Sequence, residues 1–132
     1  MSDRNTACKD GLLMPFQIAA ASLIEAGKLV AVNASGYLVA ASDSAGLLVV
    51  GLADETVDNS SGADGEASAN IRRNKAFKFG NDSGNPVTQA EVGDNVLVAD
   101  DASVTVAAGS TNSIVAGKCL GVDSDGVWVW ID

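Results

Sequence analysis

Apolar residues along this chain come in short runs of period two, each soon stopped by Gly, Asn, Ser or Asp. Residues 25–52 show the pattern in full as EAGKLVAVNASGYLVAASDSAGLLVVGL: Glu-x-Gly, an alternating run, a polar turn, a second run, a Ser/Gly loop and a third run ending in Gly. Residues 91–122, EVGDNVLVADDASVTVAAGSTNSIVAGKCLGV, write the same order again. An offset of 66 lays Glu25 on Glu91, Gly27 on Gly93, Val30 on Val96, Val32 on Val98 and Ala41 on Ala107. With a four-residue longer loop in the second copy the offset becomes 70, which sets Val50 on Leu120 and Gly51 on Gly121. Each copy predicts strand, turn, strand, loop, strand. Two copies are too few for a solenoid, so the predicted fold is all-β: a small β-barrel or β-sandwich closed by two pseudo-repeated three-strand units.

The remaining stretches fit around these units. Residues 1–15 show neither helical nor strand periodicity and predict an extended N-terminal arm, with a single β domain at residues 16–132. The run FQIAAASLI at 16–24 reads as either strand or short helix; its Ala content favours helix, its length and its neighbours favour strand. Residues 28–32 and 36–40 flank Asn33-Ala34-Ser35-Gly36 and predict a hairpin, while the continuous run 47–53 predicts a strand buried on both faces. Residues 54–66, small and acidic, predict an exposed loop, as do residues 80–86. Residues 67–79 predict a second hairpin turning at Arg73-Asn74-Lys75, with Ile71, Phe77 and Phe79 facing inward. In the closing GVWVWI, Trp128 and Trp130 share one face and Val127, Val129 and Ile131 the other. Both faces are apolar, so one belongs to a core and the other needs a second layer or another subunit to cover it.

Composition narrows the chemistry. Seventeen acidic against eight basic residues leave a net charge of −9, which opposes binding to a phosphate backbone, so no nucleic-acid partner is expected. The chain has no His, so any enzyme would work with carboxylates or Lys alone. No catalytic, cofactor-binding or metal-ligating set emerges. Asp123-Ser124-Asp125-Gly126 lacks the third oxygen residue and distal Glu of a calcium loop and reads as a hairpin turn. Asp100 and Asp101 are adjacent and would point apart in a strand, so they read as a solvated turn. Lys28 and Lys118 do not sit at a hairpin tip, where a cofactor-carrying lysine belongs. Cys8 and Cys119 read as free thiols, with a disulfide as the alternative. Asn33, Asn59 and Asn81 head Asn-x-Ser triplets that read as turn chemistry. Neither a signal peptide nor a membrane-spanning run is expected.

Two groups stand out from this background. Arg72, Arg73, Lys75 and Lys78 concentrate positive charge in an acidic chain, as a solvated hairpin tip or as a docking patch for an acidic surface. Trp128 and Trp130 are candidates for a core or subunit-interface anchor rather than a ligand-stacking platform.

The segments AGKLVAVNASGYLVAA, VVGLADETVDNSSGADG, PVTQAEVGDNVLVADDASV and AGKCLGVDSDGVWVWI, in this order over residues 16–131, resemble a family encoded among the head genes of tailed bacteriophages and Mu-like prophages. Its members are regarded as capsid cement or decoration proteins. The resemblance implies a small β-barrel or β-sandwich on the outer surface of the virion capsid, made in the host bacterial cytoplasm. The partners it implies are the major capsid protein and further copies of the chain, as homotrimers at local three-fold positions or as dimers at two-fold positions. It carries no catalytic residues, and no cofactor is expected. An arm including Leu12, Leu13, Met14, Pro15 and Phe16 would add to strands of the capsid protein. The alternative reading is a receptor-binding module or adhesin of a virion or cell surface, with its ligand site in the loops at 54–66 or 80–86.

Overall fold

The computed structural model describes residues 11–132. Twelve strands account for almost all of its regular structure. They are β1 Leu13–Gln17, β2 Ser22–Ile24, β3 Leu29–Val32, β4 Leu38–Ala40, β5 Leu48–Ala53, β6 Val57–Asn59, β7 Ser68–Arg72, β8 Lys75–Asn81, β9 Asn95–Val98, β10 Ser103–Thr105, β11 Val115–Asp123 and β12 Gly126–Ile131. The chain is all-β, as its periodicity predicts. Strands β8, β12, β11, β9 and β10 close into a five-stranded barrel. Strands β1, β7, β5, β3 and β4 form a five-stranded sheet whose ends meet at one parallel bridge, Ile18 to Leu38. β2 and β6 pair as a separate two-stranded ribbon.

The two five-stranded assemblies are copies of one design. β3 lies between β4 and β5 as β9 lies between β10 and β11, antiparallel in every case. The register repeats residue for residue: Val30 opposite Gly51 and Ala31 opposite Val49 correspond to Val96 opposite Gly117 and Leu97 opposite Val115. A bulge falls at the same place in both. The Gly27 N–H donates to the Ala53 carbonyl (2.9 Å) as the Gly93 N–H donates to the Cys119 carbonyl (2.8 Å). Both glycines have positive φ, the conformation their type tolerates. The Glu-x-Gly signature is thus a turn that starts each three-strand unit.

This register corrects two expectations. The offset of 66 holds through the third strand, so Gly51 corresponds to Gly117 and not to Gly121. A Cβ at Gly51 would strike the Arg72 carbonyl and Ile71, and a Cβ at Gly117 would strike the Trp130 carbonyl and Val129. Each glycine lets the neighbouring strand approach, which is why both copies keep one there. The units also do not close one barrel together; each is completed by its own outer pair. β7 runs beside β5 as β12 runs beside β11, and β1 beside β7 as β8 beside β12. Phe16 opposite Ala69 thereby corresponds to Phe79 opposite Val127. Even the closing bridge repeats, since Ile18 to Leu38 corresponds to the parallel pair Asn81 and Val104.

Residues 67–79 are consequently not a hairpin. β7 and β8 each pair elsewhere, and Arg73-Asn74 links one barrel to the next, with Asn74 at φ 57°. The first core holds Ile18, Ile24, Val30, Leu38, Ala69 and Ile71. The second holds Phe79, Val96, Val98, Val127 and Val129, and it also takes in Leu29 and Ala31 from the first barrel. β5 accordingly packs on two cores, Val50 on the first and Val49 and Leu52 on the second. The expected two-sided burial is met only in part: Val49, Val50 and Leu52 are half-buried and Leu48 at the start is 71% exposed. Asp43 fastens the same junction, accepting from the N–H groups of Thr111 (2.7 Å) and Asn112 (2.8 Å).

The segment 54–66 is more ordered than its composition suggests. β6 pairs with β2, and buried Asn59 donates from Nδ2 to the Ala19 and Ala63 carbonyls at 3.0 and 3.1 Å. Small polar residues here build a folded ribbon because one amide replaces the apolar contacts they lack.

Candidate functional site

The outer side of the second barrel gathers the exposed aromatic surface. Along β12 the residues Val127, Val129 and Ile131 enter the core, leaving Trp128 and Trp130 outside at 40% and 37% exposure. The tryptophans are therefore not core residues. Both indoles are tethered at one end: Trp128 Nε1 donates to Asp123 Oδ2 (3.0 Å), and Trp130 Nε1 donates to Asp132 Oδ1 (3.2 Å). Lys78, on the adjacent strand, sits over the Trp128 ring with Nζ 5.7 Å from its centroid. Its ammonium also meets Asp125 Oδ1 at 2.6 Å and Asp123 Oδ2 at 3.2 Å. The hydrogen bond to Asp125 holds the Lys78 ammonium above its ordinary pKa and the Asp125 carboxyl below its own. Rings held in one orientation lose little entropy on contact, which suits them to an interface.

Beside Trp130 lies a groove of about 570 Å³, lined by Leu47, Leu48 and Val49 of the first barrel and Ile114, Val115 and Ile131 of the second. Lys118, Asn95 and Asp132 supply its polar rim. The groove opens where the junction between the barrels reaches the surface.

The predicted basic patch does not assemble as one group. Arg72 lies on the first barrel with its Nε against Asp54 Oδ1, Arg73 Nη2 donates to the Asp132 carbonyl (2.7 Å), and Lys78 is held by two carboxylates. Neither Arg73 nor Lys75 has an ion-pair partner among the described residues. The sequence brings the four close, but β7 and β8 diverge into different barrels, and acidic neighbours offset the charge of Arg72 and Lys78.

The arm is likewise changed where it can be seen. Residues 1–10, including Cys8, lie outside the described residues. Leu13, Met14, Pro15 and Phe16 belong to β1 and pair with Arg72, Ile71, Asn70 and Ala69, with Phe16 against the first core. The N–H groups of Arg73 and Ile18 bond across to Leu12 and Ala67, so the even-numbered positions face β7. Pro15, which has no N–H, falls at an outward position where none is needed for that pairing. Residues 13–16 thus belong to the first strand of a barrel, with Leu12 just ahead of it, and not to a free arm.

The other candidates are structural. Ser124-Asp125 is a two-residue hairpin turn between β11 and β12, and Gly126 is required because a side chain there would meet the Phe79 carbonyl. Asp100 Oδ1 accepts from the Ala102 N–H (2.8 Å), and Asp101 meets Lys28 at 3.6 Å. Cys119 is a free, buried thiol whose pKa is pushed up by that burial. Among the described residues no three His, Cys, Asp or Glu side chains gather to hold a metal ion, and no helix is long and apolar enough to cross a membrane. Sequence reasoning missed Asp43 and Asn59, whose only signal was a short polar residue placed within a loop.

No family model, curated protein or solved structure matches this chain.

Proposed function

We propose that this chain is a non-enzymatic capsid decoration protein of a tailed bacteriophage or Mu-like prophage. It binds the outside of the head shell and stabilises it against the pressure of packaged DNA. The ordered resemblance over residues 16–131 suggests the class, and β1 is the structural observation that carries it. β1 uses one edge for β7, while among the described residues its other edge meets the barrel only through the bridge at Ile18. Pro15 withholds one N–H on that edge, so a capsid strand would pair with β1 through the outward groups of Leu13 and Gln17 to either side. Many such contacts on a lattice act together, so each can be weak. The partners in this reading are the major capsid protein and further copies of the chain, as trimers or dimers on the lattice.

The test is co-sedimentation with expanded capsids of the cognate phage, using the full chain and a variant lacking residues 2–10, which leaves β1 whole. Saturable binding by the full chain, lost or strongly weakened in the variant, supports the reading. Undiminished binding by the variant removes residues 2–10 from the contact and leaves β1 alone to carry it, in which case Leu13→Pro, which removes an N–H from the outward edge, should abolish binding. Absence of binding by the full chain removes the capsid role. Labelled protein found only at a tail or a single vertex would favour the adhesin reading.

A further inference from the structure

We infer that the aromatic face and groove of the second barrel form a docking site for a second copy of this chain, and that the segment docked there is that copy's β2–β6 ribbon. The internal duplication shows what packs at such a place. In the first barrel the outer side of β3 and β5, at Leu29, Val49 and Leu52, is covered by the second barrel. The corresponding side of the second barrel, at Asn95, Val115 and Lys118, lines the groove instead. Its apolar floor is continuous with the junction, since Leu47, Val49, Ile114 and Ile131 belong both to the groove lining and to the shared core. What covers this surface once within the chain is another barrel of the same design.

The ribbon offers the groove an apolar residue with a charge beside it. Leu23 projects from β2 at 44% exposure, and its cross-strand partner is Asp58. The projecting Leu thus has a carboxylate directly beside it on the same face of the ribbon. On the receiving side Lys118, beside Trp130, has no ion-pair partner among the described residues. One leucine entering beside Trp130, with Lys118 at the rim facing Asp58, gives an apolar centre and a polar margin. The two surfaces lie on different barrels and differ in chemistry, so the contact is head-to-tail and closes into a ring when the rotation between copies allows. Nothing in this argument depends on the capsid reading.

Sedimentation velocity on the full chain over a concentration series tests it. Wild type should self-associate, and Trp130→Ser and Leu23→Ser should each weaken association by about thirty-fold or more. Mixing the two variants should restore a heterodimer, because each keeps the surface the other has lost. Lys118→Glu, which alters only the rim, should weaken association by a smaller factor, and unchanged circular dichroism would show that each variant folds. A monomeric wild type throughout the series, Leu23→Ser associating as wild type does, or a mixture that stays monomeric would each overturn the proposal; the second result would mean that the tryptophan faces pair with each other.

Discussion

Arg72 and Trp130 hold the same position in two copies of one sheet, each opposite the third strand of its unit and each facing outward. So do Asn70 and Trp128. In the first barrel these positions are polar, and Arg72 is paired with Asp54. In the second they carry both tryptophans of the chain. The inward residues behind them remain interchangeable apolar types, Ile71 for Val129 and Ala69 for Val127. Selection for a core accepts any apolar residue of fitting volume, so it keeps pattern rather than identity. Divergence is concentrated where no core constrains it, and there one barrel became a solvated surface and the other a sticky one.

The sharpest way to break the comparison is to ask whether the barrels are separate units at all. Leu29 belongs to a strand of the first barrel but is fully buried in the core of the second. Leu29→Ala should cost about 3–4 kcal/mol. Urea unfolding should stay a single transition, with tryptophan fluorescence, which reports only the second barrel, moving together with circular dichroism. A fluorescence transition left in place would mean that the barrels fold independently. Smaller but more diagnostic of the shared design are Gly51→Ala and Gly117→Ala. Each puts a methyl group against the adjacent strand, so each should cost about 2 kcal/mol, and the two losses should agree within about 0.5 kcal/mol. A large inequality would refute the structural equivalence of the two glycines.

The outward positions should behave in the opposite manner. Trp130→Arg should lower stability by about 1 kcal/mol, since much of the ring is covered, and Arg72→Trp should change it by no more than about 0.5 kcal/mol. Thermal unfolding of both variants measures this. Comparable, large losses would mean that Arg72 and Trp130 are structural in both barrels.

The three-strand units were legible because Glu-x-Gly, the turn and the alternation occur at one constant spacing. The outer strands were not. From β7 to β12 the spacing falls below 66 because the long β5–β7 connection is replaced by the two-residue turn at Ser124-Asp125, and from β1 to β8 because the β8–β9 connection is longer than the one from β1 to β3. A fixed-offset comparison therefore cannot align Phe16 with Phe79. The misplacement of Gly51 on Gly121 has a related cause: β11 contains two glycines two positions from a bulge or within it, and only the pairing with β9 selects Gly117. The aromatic side was legible as an uncovered apolar face in GVWVWI. The neutralisation of Arg72 and Lys78 was not, since Asp54, Asp123 and Asp125 are distant in sequence.

The smallest expected effect concerns the electrostatic fastening of the junction and has a definite sign. Backbone N–H groups of Thr111 and Asn112 hold the Asp43 carboxyl below its ordinary pKa. A pKa lowered by folding means that the folded state favours the carboxylate. Its contribution is present above the unfolded-state pKa and is lost as pH falls through the folded value. Asp125, Glu91 and Asp58 are lowered in the same direction, by Lys78, Thr88 and Ser60 respectively. The raised pKa of Lys78 acts only at the alkaline end, where stability is lost as pH rises through the folded value. Stability should therefore be level from about pH 6 to 9 and decline below about pH 5. Asp43→Asn should lower the urea midpoint slightly at neutral pH and by less near pH 3, where part of the charge's contribution is already lost. The same shift at both pH values would show that the Asp43 charge does not help hold the barrels together, leaving the shared apolar core as their bond.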